Sequence, residues 1–175
     1  MVADAGHRRS AQGHLPDHAI GADQRQLEPG TDPVRADSGG EGPVTDGAEP
    51  GNVDKTKAAP VTAIIGYDTR FYELLPKLFP HRPEMKNPYE ANAKLAETVA
   101  FRNGTLQGAY FMLAARAVGL DVGGMSGFDN AKVDAEFFPD GRIKSNFLCN
   151  IGHGDPSKIM AKLPRLEFEE ACTLI

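Results

Sequence analysis

With 175 residues, 41% of them apolar, the chain is the size of one domain or of one protomer of an interlocked dimer, and it has enough apolar side chains for a core. Its net charge of −5 supplies no basic footprint for nucleic acid or an anionic membrane, so a small-molecule ligand is expected. No run approaches the roughly 20 apolar residues that span a bilayer, and Met1–Ser10 is too polar for a signal peptide, which makes a cytoplasmic protein the expectation.

The first 50 residues differ from the rest. Every Phe and Tyr lies after Asn52, and Met1–Pro50 is rich in Gly, Pro, Asp, Gln and Arg. Such a segment buries too little apolar area to offset its ordering entropy, so residues 1–50 are expected to be a disordered tail and 51–175 the folded domain. His7, His14 and His18 fall in that tail at spacings that fit no dedicated metal motif.

Folded sequence is expected from Gly51, where Asn52 and Lys55 could end a helical turn and present an amide and a cation to a ligand. Val61–Tyr67 is a short β-branched run with consecutive apolar residues, as in a strand buried on both faces. Asp68 and Thr69 can cap a short helix through Leu78 that places Phe71, Leu74, Leu75 and Leu78 on one face. The segment His81–Tyr89, with Pro83 and Pro88, reads as a loop in which His81 is exposed. A long helix is expected from Glu90 to Val118. Leu95, Val99, Leu106, Ala109, Leu113 and Ala117 recur at helical spacing, and Gly104, Gly108, Ala109, Ala114 and Ala115 allow close packing at a core or dimer interface. Arg102 and Asn103 interrupt the apolar stripe and read as a polar helix face.

Gly119 is the expected left-handed stop of that helix. The stretch from Gly119 to Asp129 then carries Gly123, Gly124 and Gly127, which could adopt positive φ and let backbone approach a flat ligand. Asp129 is a plausible N-cap for a helix through Phe137 that directs Val133 and Phe137 inward, and Pro139–Gly141 makes a turn. Lys144–Ile151 reads as a second central strand, followed by His153 between two glycines, a turn or a ligand contact. Lys158, Lys162 and Arg165 form a sparse basic cluster that could hold one phosphate or be a solvated face. Cys149 and Cys172 lie outside any CxxC pair and are expected to be reduced core residues. No GxGxxG or P-loop follows a strand.

Taken together, Asn52–Lys55, Ala59–Asp68, Phe101–Asn103, Met125–Asp129, Asn150–Asp155 and Leu163–Cys172 resemble the malonic semialdehyde reductase branch of the nitroreductase family, flavoproteins of pyrimidine catabolism. The resemblance runs from about Gly51 to Ile175 and implies an α+β fold with a central, mostly antiparallel sheet flanked by helices. It further implies a homodimer with FMN at the interface, NADH or NADPH as reductant, and 3-oxopropanoate as substrate. A nitro-compound or quinone reductase is the alternative within the family, and an inactive remnant without flavin the alternative outside it. By resemblance, Asn52 and Lys55 reach the ribityl chain and the flavin's pyrimidine edge, Gly124, Met125, Ser126 and Gly127 form the loop that faces the ring, and Lys162 and Arg165 serve the phosphate. No metal is implied, and no side chain stands out as an essential proton donor.

The departure from the family lies in Met1–Pro50, which lacks the Arg-rich segment and the Gly-Pro-Thr-Ser-Ala-Asn-like stretch that relatives carry. A DNA sequence encoding Gly21–Pro29 can, read one base later, encode Gly-Pro-Thr-Ser-Ala-Asn-Ser-Ser-Pro. The first 50 or so residues are therefore expected to be a frameshifted translation, with the family's frame regained near Gly51.

Overall fold

The computed structural model describes residues 42–175 and, as backbone, Val34–Asp37. Four strands, β1 (Val34–Asp37), β2 (Val61–Asp68), β3 (Asp121–Met125) and β4 (Ile143–Gly152), form one antiparallel sheet in the order β1-β2-β4-β3. Around it lie α1 (Pro43–Gly47), α2 (Pro50–Ala58), α3 (Leu75–Leu78), α4 (Asn87–Ala91), α5 (Ala93–Ala117), α6 (Asn130–Phe137) and α7 (Phe168–Ala171). The architecture is the expected α+β one.

The sheet has apolar residues on both faces because helices cover both. Ile64, Leu148 and Met125 stand side by side across β2, β4 and β3 and pack with Val44 of α1, Phe128, and Val133 of α6. One residue along each strand, Ala63, Ile65 and Cys149 turn to the other face, against Phe111 and Met112 of α5. This two-sided covering is why β2 reads as an unbroken apolar run. Asp129 caps α6 as expected by accepting from Lys132 N at 3.2 Å, and Val133 is fully buried.

Several expectations are corrected. Ordered structure begins before Gly51: α1 buries Val44 at 1% exposure, and Asp129 N donates to Gly47 O at 2.8 Å. The helix contributes a single valine and no aromatic of its own to a cluster built by later residues, so a compositional average over 50 residues conceals it. Val34–Asp37 also falls within the expected tail and pairs with β2 as an edge strand; the remainder, with His7, His14, His18 and Gly21–Pro29, lies outside the described residues. The segment from His81 to Tyr89 is not plain loop but a 3-10 turn, Pro83–Lys86, followed by α4, with each proline in a first turn where a missing N–H costs nothing. Asn92 then caps a separate helix by accepting from Leu95 N at 3.0 Å, so α5 starts at Ala93 rather than Glu90. Asp68 is not the N-cap residue of the turn Phe71–Leu74, which is Arg70; its Oδ1 accepts from Arg70 N at 2.7 Å, and its carboxylate pairs with Arg142. Cys149 is buried and its thiol pKa is pushed up by burial, whereas Cys172 is exposed rather than in a core.

The helix α5 presents its narrow stripe, not its large one, to the sheet. Ala96, Ala100, Gly104 and Gly108, spaced four apart, are the buried residues, while Leu95, Leu106 and Leu113 are exposed. The approach is close: a Cβ on Gly108 would lie 2.4 Å from Phe147 Cζ, and one on Gly104 would lie 3.0 Å from Tyr67 Cβ. No helix among the described residues is long and apolar enough to cross a membrane.

Candidate functional site

At the end of the sheet where β2 begins and β4 ends lies a groove of about 540 Å³. The second half of α2 forms one wall, with Asp54, Lys55 and Ala58. The turn after β4, Gly152–Asp155, forms the other with Lys158, and Gly123 and Asn150 lie between. The sequence produces this shape directly. Pro50 opens α2, and Pro60 ends the connection to β2, so α2 folds back over the strand it precedes. Gly152 is required for that fold-back, because a Cβ there would lie 2.7 Å from Pro60 Cδ. Gly123 is open on the groove side, where an added Cβ would meet only Asn150 Cβ at 3.8 Å.

The glycine-rich stretch is extended strand rather than a positive-φ loop. Gly119 at φ 89° and Gly141 at φ 68° are the positive-φ residues among those described, so Gly119 stops α5 as expected while Gly123, Gly124 and Gly127 do not use that freedom. Pairing with β4 explains the difference, since ladder hydrogen bonds hold Asp121–Met125 extended. Alternation then separates neighbours. Gly123 lines the groove, and Gly124 backs onto α5, where its missing Cβ would lie 3.3 Å from Met112 Cε. Met125 is a core residue whose sulfur accepts from the buried Thr56 hydroxyl at 3.6 Å. Ser126 is exposed.

Gly127 is where close approach demands glycine. Its carbonyl accepts from Glu49 N at 3.0 Å and from Asn52 Nδ2 at 2.7 Å, and a Cβ on it would sit 2.6 Å from that nitrogen. The start of α2 is thereby latched to the loop after β3. Asn52 and Gly127 do come together, but the nitrogen end of the Asn52 amide is committed to the loop, leaving its oxygen end as the part able to face a ligand. Lys55, one turn on, lines the groove.

The far wall is pinned by Asp121. Its Oδ2 accepts from Gly154 N at 2.8 Å, and its Oδ1 accepts from Arg116 at the end of α5. The Gly154 N–H first, and the Arg116 guanidinium second, hold its carboxyl below the usual range. Asp155 is likewise held low, by the Ser157 hydroxyl at 2.7 Å and the Ser157 amide at 2.9 Å. The chain from Gly152 to Lys158 is thus a bonded scaffold, and Lys158 and His153 are carried into the groove by it.

Other expected site residues are not brought here. Lys162 and Arg165 lie on an exposed stretch and do not line the groove; Arg165 donates to Leu163 O at 3.0 Å and Pro164 O at 3.1 Å. Asn103 bonds back to Val99 O at 2.8 Å, a helix-surface contact, and His81 packs edge-on to Phe79. Reading the sequence residue by residue missed Asp54, Asp121 and Asn150 as groove residues. Asn150 had a visible signal, a polar residue inside an otherwise apolar strand; Asp121 had none, because its role depends on where Gly154 returns.

No family model matches the chain. It is 63% identical over 127 residues to a Ralstonia pickettii protein provisionally named NADH dehydrogenase/NAD(P)H nitroreductase HadB, covering 71% of this chain and 65% of the relative. It is 61% identical over 127 residues, with the same coverage, to a protein of the same provisional name from Cupriavidus pinatubonensis. The matched part of the chain belongs to the nitroreductase family. The chain spans 65% of the length of those two relatives. The fold agrees: a provisionally named nitroreductase from Exiguobacterium sibiricum, solved with FMN, superposes with a TM-score of 0.71 at 16% identity, covering 92% of this chain and 88% of that one. A Bacillus subtilis protein of the same description superposes with a TM-score of 0.72 at 16% identity, over 92% and 89% of the two chains.

Proposed function

We propose that this chain is built as an NAD(P)H-dependent flavin oxidoreductase whose FMN lies in the groove beside Gly123. The observation that carries the reading is the groove itself: an open glycine floor, two lysines and one half-buried amide at the sheet end, in a fold shared with an FMN-bound nitroreductase. Its volume is in the range of cofactor pockets, about 300–1,000 Å³. The donor set fits FMN. Lys55 and Lys158 supply positive charge for a phosphate, Asn150 and Asn52 supply amide groups for a heterocycle or ribityl hydroxyls, and the missing Cβ of Gly123 lets a flat ring approach the strand. FMN, when bound, supplies reversible two-electron chemistry between a nicotinamide nucleotide and the substrate. The chain's own residues bind, orient and shield, and the Gly127 latch keeps the loop after β3 fixed while they do so.

The favoured substrate is 3-oxopropanoate, reduced to 3-hydroxypropanoate. This choice rests on the resemblance to malonic semialdehyde reductases; the names of the relatives favour nitro compounds, and quinones are the remaining alternative. The working unit is a homodimer. Leu106 and Leu113 on the outer face of α5, and Ile159, Met160, Leu163, Leu166 and Phe168 in the C-terminal segment, are all exposed, large apolar side chains of the kind a second copy would cover. The frameshift reading of the first 50 residues belongs to this proposal, and sequencing the DNA that encodes Gly21–Pro29 against close relatives tests it.

The deciding experiment is the visible spectrum of the full chain after incubation with FMN and desalting, with light scattering on the same sample. Near-stoichiometric retained flavin on a dimer is the expected result, after which NADH and NADPH oxidation with each acceptor sorts the substrates. Colourless protein would reject the flavin reading for this chain.

A further inference from the structure

Beneath the groove, Thr62, Asn150 and Gly123 stand side by side across β2, β4 and β3. Laterally paired residues share a face of the sheet, so the three form one row under the α2 wall. Thr62 is fully buried, and its hydroxyl donates to Asn150 Oδ1 at 2.8 Å. A primary amide is planar, with one acceptor end and one donor end. Holding the oxygen against Thr62 leaves Nδ2 as the free end of a side chain that lines the groove. No described residue accepts a hydrogen bond from that Nδ2, so its partner must come from what fills the groove, solvent or ligand. Gly123, the next residue in the row, has no side chain with which to shield it.

We propose that Asn150 is a ligand-contacting residue of this groove, donating through Nδ2 to an acceptor atom, a carbonyl oxygen or ring nitrogen, of the bound heterocycle. Thr62 is its positioning residue, fixing which end of the amide is presented. The inference rests on the flavin reading of the groove and adds to it a donor that is separate from the Asn52 latch and from the lysines. It also explains the otherwise odd placement of an asparagine between Cys149 and Ile151, since the same side chain is satisfied at one end by the core and offered at the other.

The test is flavin-fluorescence titration of the full apoprotein with FMN and, separately, with riboflavin, with circular dichroism as the check on folding. Asn150→Asp keeps an acceptor for the Thr62 hydroxyl and replaces the donor with a carboxylate oxygen. It should weaken both flavins equally, by about tenfold or more, the scale of losing a hydrogen bond and facing an acceptor with a charge. Thr62→Val, which lets the amide rotate, should weaken both by roughly threefold, the lower range for a neutral hydrogen bond, and Thr62→Ser should restore wild-type binding. The Asn150→Asp, Thr62→Val double variant should bind like Asn150→Asp alone, because Thr62 acts through Asn150. Should Asn150→Asp fail to fold, the Thr62→Val and Thr62→Ser pair decides. Wild-type protein that binds flavin, with variants that bind equally well, would overturn this inference and leave the flavin reading standing. Tighter binding by Asn150→Asp would overturn the donor assignment. Wild-type protein that binds neither flavin would overturn both.

Discussion

The two ends of the β2–β4 pair carry polar side chains in opposite states. At one end, Asp68 is almost wholly buried and accepts from Arg142 Nε and Nη2 at 2.9 and 2.8 Å and from Arg70 N at 2.7 Å. There Thr69 N and Oγ1 both donate to Arg142 O, at 3.0 and 2.7 Å, and Arg142 Nη1 reaches Glu73 at 2.9 Å. At the other end, Lys55 and Lys158 line the groove with no ion pair within 4 Å of a described carboxylate, Lys158 feeling only the field of Asp155, and Asn150 is bonded at only one end of its amide. The same two strands therefore carry a saturated network where they need a fixed register and an unsaturated one where they face the groove. A polar group with all its bonds made is a fastener, and a polar group held by one bond with another free is a recognition element.

The largest expected effect tests the fastened end. Asp68→Ala removes the carboxylate that accepts from Arg142 and from Arg70 N while leaving Arg142 its bond to Glu73, and losing charged hydrogen bonds of this kind costs about 1.5–3 kcal/mol. The loss should appear as a lower urea midpoint, while the flavin affinity of the protein that remains folded stays within twofold of wild type. A parallel loss of affinity would mean that the two ends are not independent. Next in size is Gly108→Val, since its Cβ alone would lie 2.4 Å from Phe147 Cζ and 3.0 Å from Ile65 Cγ2, and both side chains would have to move. Overpacking of this kind costs about 1–3 kcal/mol, against the small gain in helix propensity on removing glycine, and thermal denaturation reads the balance.

That substitution also marks what could and could not be read from sequence. The strands β2 and β4 were legible because a buried central strand is an apolar run, and α6 because Asp129 and Val133 sit where a cap and a core residue belong. The direction in which α5 faces was not. Its large apolar residues recur at helical spacing, and so do its small ones; only the ring of Phe147 opposite Gly108 decides which stripe meets the sheet. The groove was half legible. Lys55 and the glycines were visible as a local pattern, whereas Asp121 and the α2 wall depend on chain segments more than 30 residues apart in sequence meeting at one turn. The basic cluster of Lys158, Lys162 and Arg165 was visible in the sequence, but of the three it is Lys158 that lines the groove, beside Lys55.

On the open end, Lys158→Ala should weaken FMN by about tenfold, the scale of one charge-assisted contact to a phosphate, and leave riboflavin binding unchanged. This dissociates the cation from the Asn150 amide, whose loss acts on both flavins. Equal losses for both flavins in Lys158→Ala would place the lysine on the ring or ribityl side instead.

The smallest effect is a pH dependence at the boundary between the two states. Asp121 is a fastener that stands at the edge of the groove, with its side chain about half exposed. Its folded pKa is depressed, so the bonds to Gly154 N and Arg116 stabilise the folded chain above the ordinary carboxylate value of about 4 and are lost as the pH falls through the lowered folded value. Asp121→Asn carries no charge to titrate. The stability gap between wild type and Asp121→Asn, read from urea midpoints without flavin, should therefore be constant from pH 7 to pH 5 and close below pH 4. Asp155 titrates in the same acidic direction in both proteins and cancels from the difference. A gap that stays open in acid would assign the difference to shape or hydrogen-bond geometry that the amide does not reproduce, leaving charge no part in holding that wall of the groove.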